Sequence, residues 1–339
     1  MNKDMKDSKI LLGHGSGGRL THDLIKGLFL KKFNNPVLRE LSDSAFIKYK
    51  ECLAFTTDSF VVSPLFFPGG DIGKLSVCGT INDLVMLGAV PEYISLGMII
   101  EEGLDLGVLE KITESISKTA KKEGVIIATG DLKVVEKGAA DKIFINTSGI
   151  GRIINNRKLS AKNIASGDKI ILTSGIGYHG LAVLAKRSEL DLGFNIKSDC
   201  CALSGLLIPV LKENNAIKFM RDPTRGGVAT TLNEIAESTG LGIEIWEEKV
   251  PLSKQVRVAS ELLGIDPLYI ANEGCALIVA GHNSAEKLLR QIKKRKLGRA
   301  AQIIGTVVSD HKREVVLNTS FGTQRIVDML TSEPLPRIC

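Results

Sequence analysis

Twice along its length this chain repeats one pattern: a short apolar run, a glycine-bearing turn, then an amphipathic stretch of helical period. The first half reads as strands at residues 45–49 and 53–57, the second ending in Asp58, and a helix over 71–88 with Ile72, Leu75, Ile81, Leu84 and Val85 inward. A strand at 93–100, a helix at 106–123 and strands at 125–129 and 141–147 follow. Gly149-Ile150-Gly151 and the polar stretch 152–163 then mark a domain boundary. The pattern restarts with a strand at 169–173, the turn 175–180 and a helix. Next come a helix opened by 221–227 and reaching 239, a strand at 242–246, a helix at 253–263, the turn 272–274 and a strand at 275–280. A helix at 284–294 and strands at 303–308 and 315–317 close the body. Strands and helices thus alternate through two halves. They predict an α/β (α+β) fold of two related domains, residues 1–155 and 156–333, each burying its own core, with 334–339 as a flexible tail.

Composition narrows the function. Thirty-four glycines in 339 residues suit tight turns and phosphate-type loops. The formal charge of +6 is mild, and the basic cluster from Lys293 to Arg299 reads as a solvated helix end, so no nucleic acid partner is expected. Polar residues 1–9 are no signal peptide, and the longest uncharged run, 170–185, is too short and broken to span a bilayer. Six scattered cysteines with neither a C-x-x-C pair nor zinc spacing point to a reduced, cytoplasmic protein; the adjacent Cys200 and Cys201 read as core or loop residues.

Glycines at 13–18 satisfy G-x-G-x-x-G after a short strand at 10–12 and before a helix over 21–33, with Glu40 at about the dinucleotide-binding distance. Without a convincing βαβ unit around them, a lid or anion-contacting loop fits better. Gly73-Lys74 is not a P-loop, since Leu75 replaces Ser or Thr and Pro68 the first glycine. The carboxylates are more informative. Asp58 ends a strand, Asp83 and its neighbour Asn82 interrupt an apolar helix face, and Asp131 follows a strand through Gly130. With Asp43 they supply the hard oxygen donors that Mg²⁺ prefers, although each alone also reads as an N-cap or turn residue. Lys133 can neutralise a phosphate or act as a base, or be a surface lysine. Glu273, on a tight turn, is a candidate base. Asp222 and Arg225 stand at a helix start, either an anion site or a plain capped turn. The five histidines show no metal spacing and read as structural or solvent-facing.

The chain ends Pro334-Leu335-Pro336-Arg337-Ile338-Cys339. Two prolines hold such a tail near an extended conformation, and Arg337 favours a thiolate at the terminal cysteine. A thiol on a stiff arm suits a carrier. A frayed terminus that happens to end in cysteine is the plainer alternative.

Together, G-H-G-S-G-G at 13–18, T-D-S-F at 57–60, P-L-F-F-P-G-G-D-I-G-K-L at 64–75 and N-D-L at 82–84 resemble the HypE family of hydrogenase maturation proteins. So do G-D-L-K-V-V at 130–135, R-D-P-T-R-G-G at 221–227, N-E-G at 272–274 and the terminal P-R-I-C. That family lies within the aminoimidazole-ribonucleotide-synthetase-like (PurM-like) superfamily, and the likeness spans nearly the whole chain. The aspartates point only to the superfamily, which includes selenophosphate synthetases and thiamine-phosphate kinases; P-R-I-C singles out the family. The resemblance implies a homodimer whose N-terminal domains pair through their sheets, ATP and Mg²⁺ near that interface, and a C-terminal α/β sandwich. It implies a carbamoyl group placed on Cys339 by a HypF-type carbamoyltransferase and dehydrated with ATP to a thiocyanate. Cyanide then passes to a HypC–HypD complex for the iron of [NiFe] hydrogenase. Carried over, Asp43, Asp58, Asn82, Asp83, Gly130 and Asp131 belong to the nucleotide–magnesium region, while Lys133 and Glu273 fall where the family places proton-transfer groups. Leu132, where threonine is expected, and Tyr178, where aspartate is frequent, depart from the pattern. The competing readings are a PurM-like enzyme acting on a free small molecule and a non-catalytic nucleotide-binding scaffold.

Overall fold

A computed structural model describes residues 9–11, 24–35, 49–156, 159–189, 195–329 and 337–339. The glycine loop at 13–18, Asp43 and most of the expected strand at 45–49 lie outside them.

The first half is a mixed four-stranded sheet in the order β1-β4-β2-β3, formed by β1 (Leu53–Phe60), β2 (Ala89–Glu101), β3 (Ile126–Val135) and β4 (Ile143–Ile153). β2 and β3 are parallel, joined through a helix as a parallel crossover requires; the other pairs are antiparallel. One face of the sheet carries helix α1 (Ile72–Met86), and α2 (Leu106–Glu123) packs against α1. Asp71 starts α1 by accepting hydrogen bonds from the amides of Gly73 and Lys74 at 2.8 and 3.0 Å. Asp105 caps α2 at the Val108 amide, and Gly124, at φ +71°, ends it. α1 is apolar all round, because it lies between the sheet and the second half; only Lys74 and Asp83 escape full burial.

The second half is a seven-stranded sheet in the order β11-β10-β7-β9-β5-β8-β6. Its strands are β5 (Lys169–Leu172), β6 (Ile217–Arg221), β7 (Gly242–Trp246), β8 (Leu277–Ala280), β9 (Gln302–Val308), β10 (Val315–Asn318) and β11 (Gln324–Ile326). The helices are α3 (Tyr178–Arg187), α4 (Ser204–Glu213), α5 (Gly227–Thr239), α6 (Lys254–Leu263) and α7 (His282–Lys293). The sequence pattern gives no sign of α4, β6 and β11. Pro209 inside α4 reads as a breaker, and β11 has three exposed residues with no apolar alternation.

Two expectations change. Gly149-Ile150-Gly151 is not a boundary but the interior of β4, which runs on to Ile153. The glycine lets helix α1 approach: a Cβ at Gly149 would lie 2.6 Å from a Thr80 methyl. Nor does each half keep a separate core. One apolar cluster continues from Leu75 and Ile81 of α1 into Leu203, Leu206 and Leu207 beside them, while a second lies under α5. Among the described residues no helix is long and apolar enough to cross a membrane.

Candidate active site

Two stripes of α1 organise the site. Lys74, Cys78 and Asn82, four residues apart, face the second half, while Gly79 and Asp83 face β1. Gly79 is needed there: a Cβ would lie 2.9 Å from the Phe60 ring and 3.6 Å from an Asp58 carboxylate oxygen. Asp58 therefore points inward against α1, and the next turn brings Asp83, whose carboxylate accepts a 2.8 Å hydrogen bond from Thr56.

Asn82 meets the second half directly. Its amide donates to the carbonyls of Cys201 and Glu273, at 3.1 and 3.4 Å, and its oxygen accepts from the Leu203 amide at 2.8 Å. All of these partners are backbone groups, so Asn82 joins the halves and does not reach toward a ligand. The 199–203 segment in turn holds the Glu273 turn: the Asp199 carboxylate accepts from the amides of Glu273 and Gly274. A Cβ at Gly274 would come 1.9 Å from the Asp199 carbonyl, so that close approach requires glycine. Asp199 carried no sequence motif; its importance comes only from the approach of two distant turns.

Electrostatics shows which acids share the site. Burial, then the charge of Asp58, pushes Asp83 up to about 6, against Thr56 and Arg221, which lower it. Burial and the neighbouring Asp83 push Asp222 up to about 7. Burial raises Asp58, with Arg225 pulling the other way, and burial raises Asp199 to about 6. Glu273, 3% exposed, is raised well above the ordinary range by burial and then by Asp222 and Asp199. Asp222 and Arg225, at the start of α5, thus face the acids of the first half, a role beyond the capped turn. Clustered carboxylates whose affinity for protons is raised by one another's charge are short of a cation. Among the described residues no three acid, His or Cys groups close tightly enough to hold a metal ion alone. Such an open oxygen set suits Mg²⁺, which binds through one or two carboxylates together with phosphates and water.

Asp131 and Lys133 stand elsewhere. Their ion pair, at 3.0 Å, lies on the outer face of the sheet, with the side chains 70% and 63% exposed, while Leu132 between them enters the core. Register explains this. Asp58, Thr147, Leu96 and Gly130 form one row across the strands, and Ser59, Asn146, Gly97 and Asp131 form the next, on the opposite face. The sequence-predicted set therefore splits: Asp58, Asp83 and Glu273 gather on the side of α1, and Asp131 and Lys133 do not join them within one chain.

Residues 337–339 are held against the body. Cys339 accepts from the Val61 amide at 3.1 Å and Arg337 from Ser63 at 3.3 Å, an antiparallel pairing with the continuation of β1. Ile338 is buried between them at 1% exposure. The Arg337 guanidinium donates to Val61 and to Asp141, and Arg187 of α3 donates to the carbonyls of Ser63 and Arg337. Because the tail runs antiparallel to β1, Cys339 heads back along the strand toward Asp58. Asp58 lies three positions before Val61, about 10 Å at ~3.3 Å per residue.

Residues 41–153 match the family described as AIR synthase related protein, N-terminal domain, and 165–318 match the corresponding C-terminal domain. The carbamoyl dehydratase HypE of Rhizobium leguminosarum bv. viciae is 48% identical over 338 residues, covering 99% of this chain and 97% of that relative. The chain belongs to the HypE family. A crystal structure of the hydrogenase maturation protein HypE in complex with ATP superposes at a TM-score of 0.94 with 44% identity, covering 97% of this chain and 99% of that one. A HypE chain from a HypE–HypF complex superposes at 0.80 with 46% identity, covering 91% and 99%. Membership fixes the PurM-like fold for this HypE-family chain, and the paired tail and the acid cluster described above are the parts that its own geometry supplies.

Proposed function

We propose that this chain is an ATP-dependent carbamoyl dehydratase acting on its own C-terminal cysteine, converting S-carbamoyl Cys339 to a thiocyanate during [NiFe] hydrogenase maturation. The observation that carries the proposal is the direction of the tail: it pairs along β1 so that Cys339 heads toward Asp58 and the acid cluster. An enzyme for a free small molecule has no use for a thiol seated there, and a passive scaffold has no use for a buried Glu273 held among other acids.

A carbamoyl oxygen is a poor leaving group. Phosphoryl transfer from ATP to that oxygen makes it one, and the C–O bond then breaks with release of phosphate as both nitrogen protons are removed. Glu273, whose raised affinity for protons makes its carboxylate a stronger base once ionised, is positioned by Asp199 to take one of them. Asp58 and Asp83 would hold Mg²⁺, which when bound neutralises charge on the phosphates. Arg225 and the start of α5 offer positive potential to the same phosphates. The proton-transfer role of Lys133 requires a second copy of the chain, since its own sheet separates it from Glu273. The outer face that would pair carries exposed Leu53, Phe55 and Ile99, apolar residues suited to a homodimer interface. Six cysteines with no disulfide among them suit the reducing cytoplasm. The partners in this reading are a HypF-type transferase that loads Cys339 and a HypC–HypD complex that takes the cyanide.

The test is to load the protein with the transferase, add ATP, and follow Cys339 by mass spectrometry. A carbamoyl adduct on Cys339 that then loses one water is expected. An adduct on another cysteine, or one that persists with ATP, overturns the proposal.

A further inference from the structure

His179 is fully buried in α3, and its ring packs at nearly a right angle to the Phe67 ring, centroids 5.3 Å apart. Nε2 lies 2.9 Å from the carbonyl oxygen of Ile338, and Nδ1 lies 2.8 Å from Ser198 Oγ. A carbonyl only accepts, so Nε2 carries the proton and donates to the tail; burial, which drives the imidazole down to about 4, keeps the ring neutral. Nδ1 must then accept, and the Ser198 hydroxyl supplies that proton. The same hydroxyl oxygen accepts from the Cys200 amide at 3.0 Å, while the Ser198 amide donates to Pro68 at 2.7 Å. Every donor and acceptor in this line is used, in one direction, from the Cys200 amide to the tail. Between Ser198 and Cys200 stands Asp199, the carboxylate that holds the Glu273 turn.

We infer that His179 is a positioning residue for the reaction, a latch that seats the tail by holding the Ile338 carbonyl and ties it through Ser198 to the segment carrying Asp199. The inference rests on the reading of Cys339 as the carrier. It assigns to α3 and to residues 198–200 the task of fixing the thiol one residue beyond the latched carbonyl, on the same support that fixes Glu273. Arg187, about two turns further along α3, holds the Arg337 carbonyl and completes the seat.

The test uses the full chain with ATP and compares the parent protein with His179→Leu, His179→Gln and Ser198→Ala. Each is treated with iodoacetamide, and alkylation is mapped by mass spectrometry, with exposed Cys52 as the internal reference. Losing the latch hydrogen bond in His179→Leu should raise the Cys339 rate about fivefold relative to Cys52. The Gln amide can donate from nearly the position of Nε2, so His179→Gln should remain close to the parent. Single-turnover dehydration of carbamoylated protein should slow in His179→Leu and recover in His179→Gln, which a merely structural role would not produce. Ser198→Ala, which opens no large cavity, should show an intermediate rise and decides the matter if the Leu variant does not fold. Equal Cys339 rates in all proteins, or a Gln variant as impaired as the Leu variant, overturns the latch. Failure of the parent protein to dehydrate its adduct overturns the carrier reading instead, and the alkylation comparison still decides the latch.

Discussion

Asp83 and Glu273 have different tasks because their surroundings differ. Asp83 faces Asp58 across the β1–α1 contact and donates charge to a site short of a cation, so Asp83→Asn, nearly isosteric, should keep the fold and weaken ATP–magnesium binding at least tenfold by titration calorimetry. Stability should also depend on pH through these acids. Asp83 and Asp222 titrate at about 6 and about 7 in the fold, against an ordinary value of 3.8, so their protonated forms favour the folded state. The stability they lend is complete below 3.8 and is lost as pH rises from there to the folded values of about 6 and about 7. Thermal melts of the nucleotide-free protein should fall across that window, and Asp83→Asn should flatten the fall by about 3 kcal/mol. A parent melting temperature that does not fall between pH 4 and 7 would contradict this. Glu273→Gln keeps the turn and its Asp199 hydrogen bonds to backbone amides, so ATP binding and carbamoyl loading should persist while water loss stops.

At the scale of elements, α1 decides the site. Its three-way packing puts acids against β1 on one stripe and the joint to the second half on another. Asn82→Ala removes hydrogen bonds to three backbone groups of the 201–203 and 273 segments and should cost about 2–3 kcal/mol in chemical denaturation. Dehydration should fall more steeply than ATP binding, since the Glu273 turn loses its support. A variant with parent stability and turnover would show that the joint is redundant.

For the whole molecule, the outward placement of Lys133 makes a prediction that a monomer cannot meet. Lys133→Ala and Glu273→Gln should each be inactive, yet mixing and refolding the two should recover about one quarter of parent turnover, since half of the dimers are mixed and one of their two sites is intact. No recovery, with mixed dimers confirmed by mass, would place Lys133 outside the reaction. Phe55→Lys, in the middle of the exposed apolar face, should sediment as a monomer and lose activity with it.

The sequence by itself determined the repeated strand–helix order, helix starts near residues 71 and 106 and the family-bearing motifs, and it nominated the acids Asp58, Asp83 and Glu273. These follow from local causes: period, caps, and the cost of a carboxylate in an apolar face. It did not separate Asp131 and Lys133 from the other site residues, because which face a strand residue occupies depends on register with its neighbours, and that is set across the sheet. It read Gly149 as a boundary, because a glycine that admits a helix looks locally like one that makes a turn. The roles of Asp199 and His179 had no local mark at all. Each arises where segments far apart in the chain meet, at the Glu273 turn and at the tail, and only the tertiary structure brings their hydrogen-bond partners within reach.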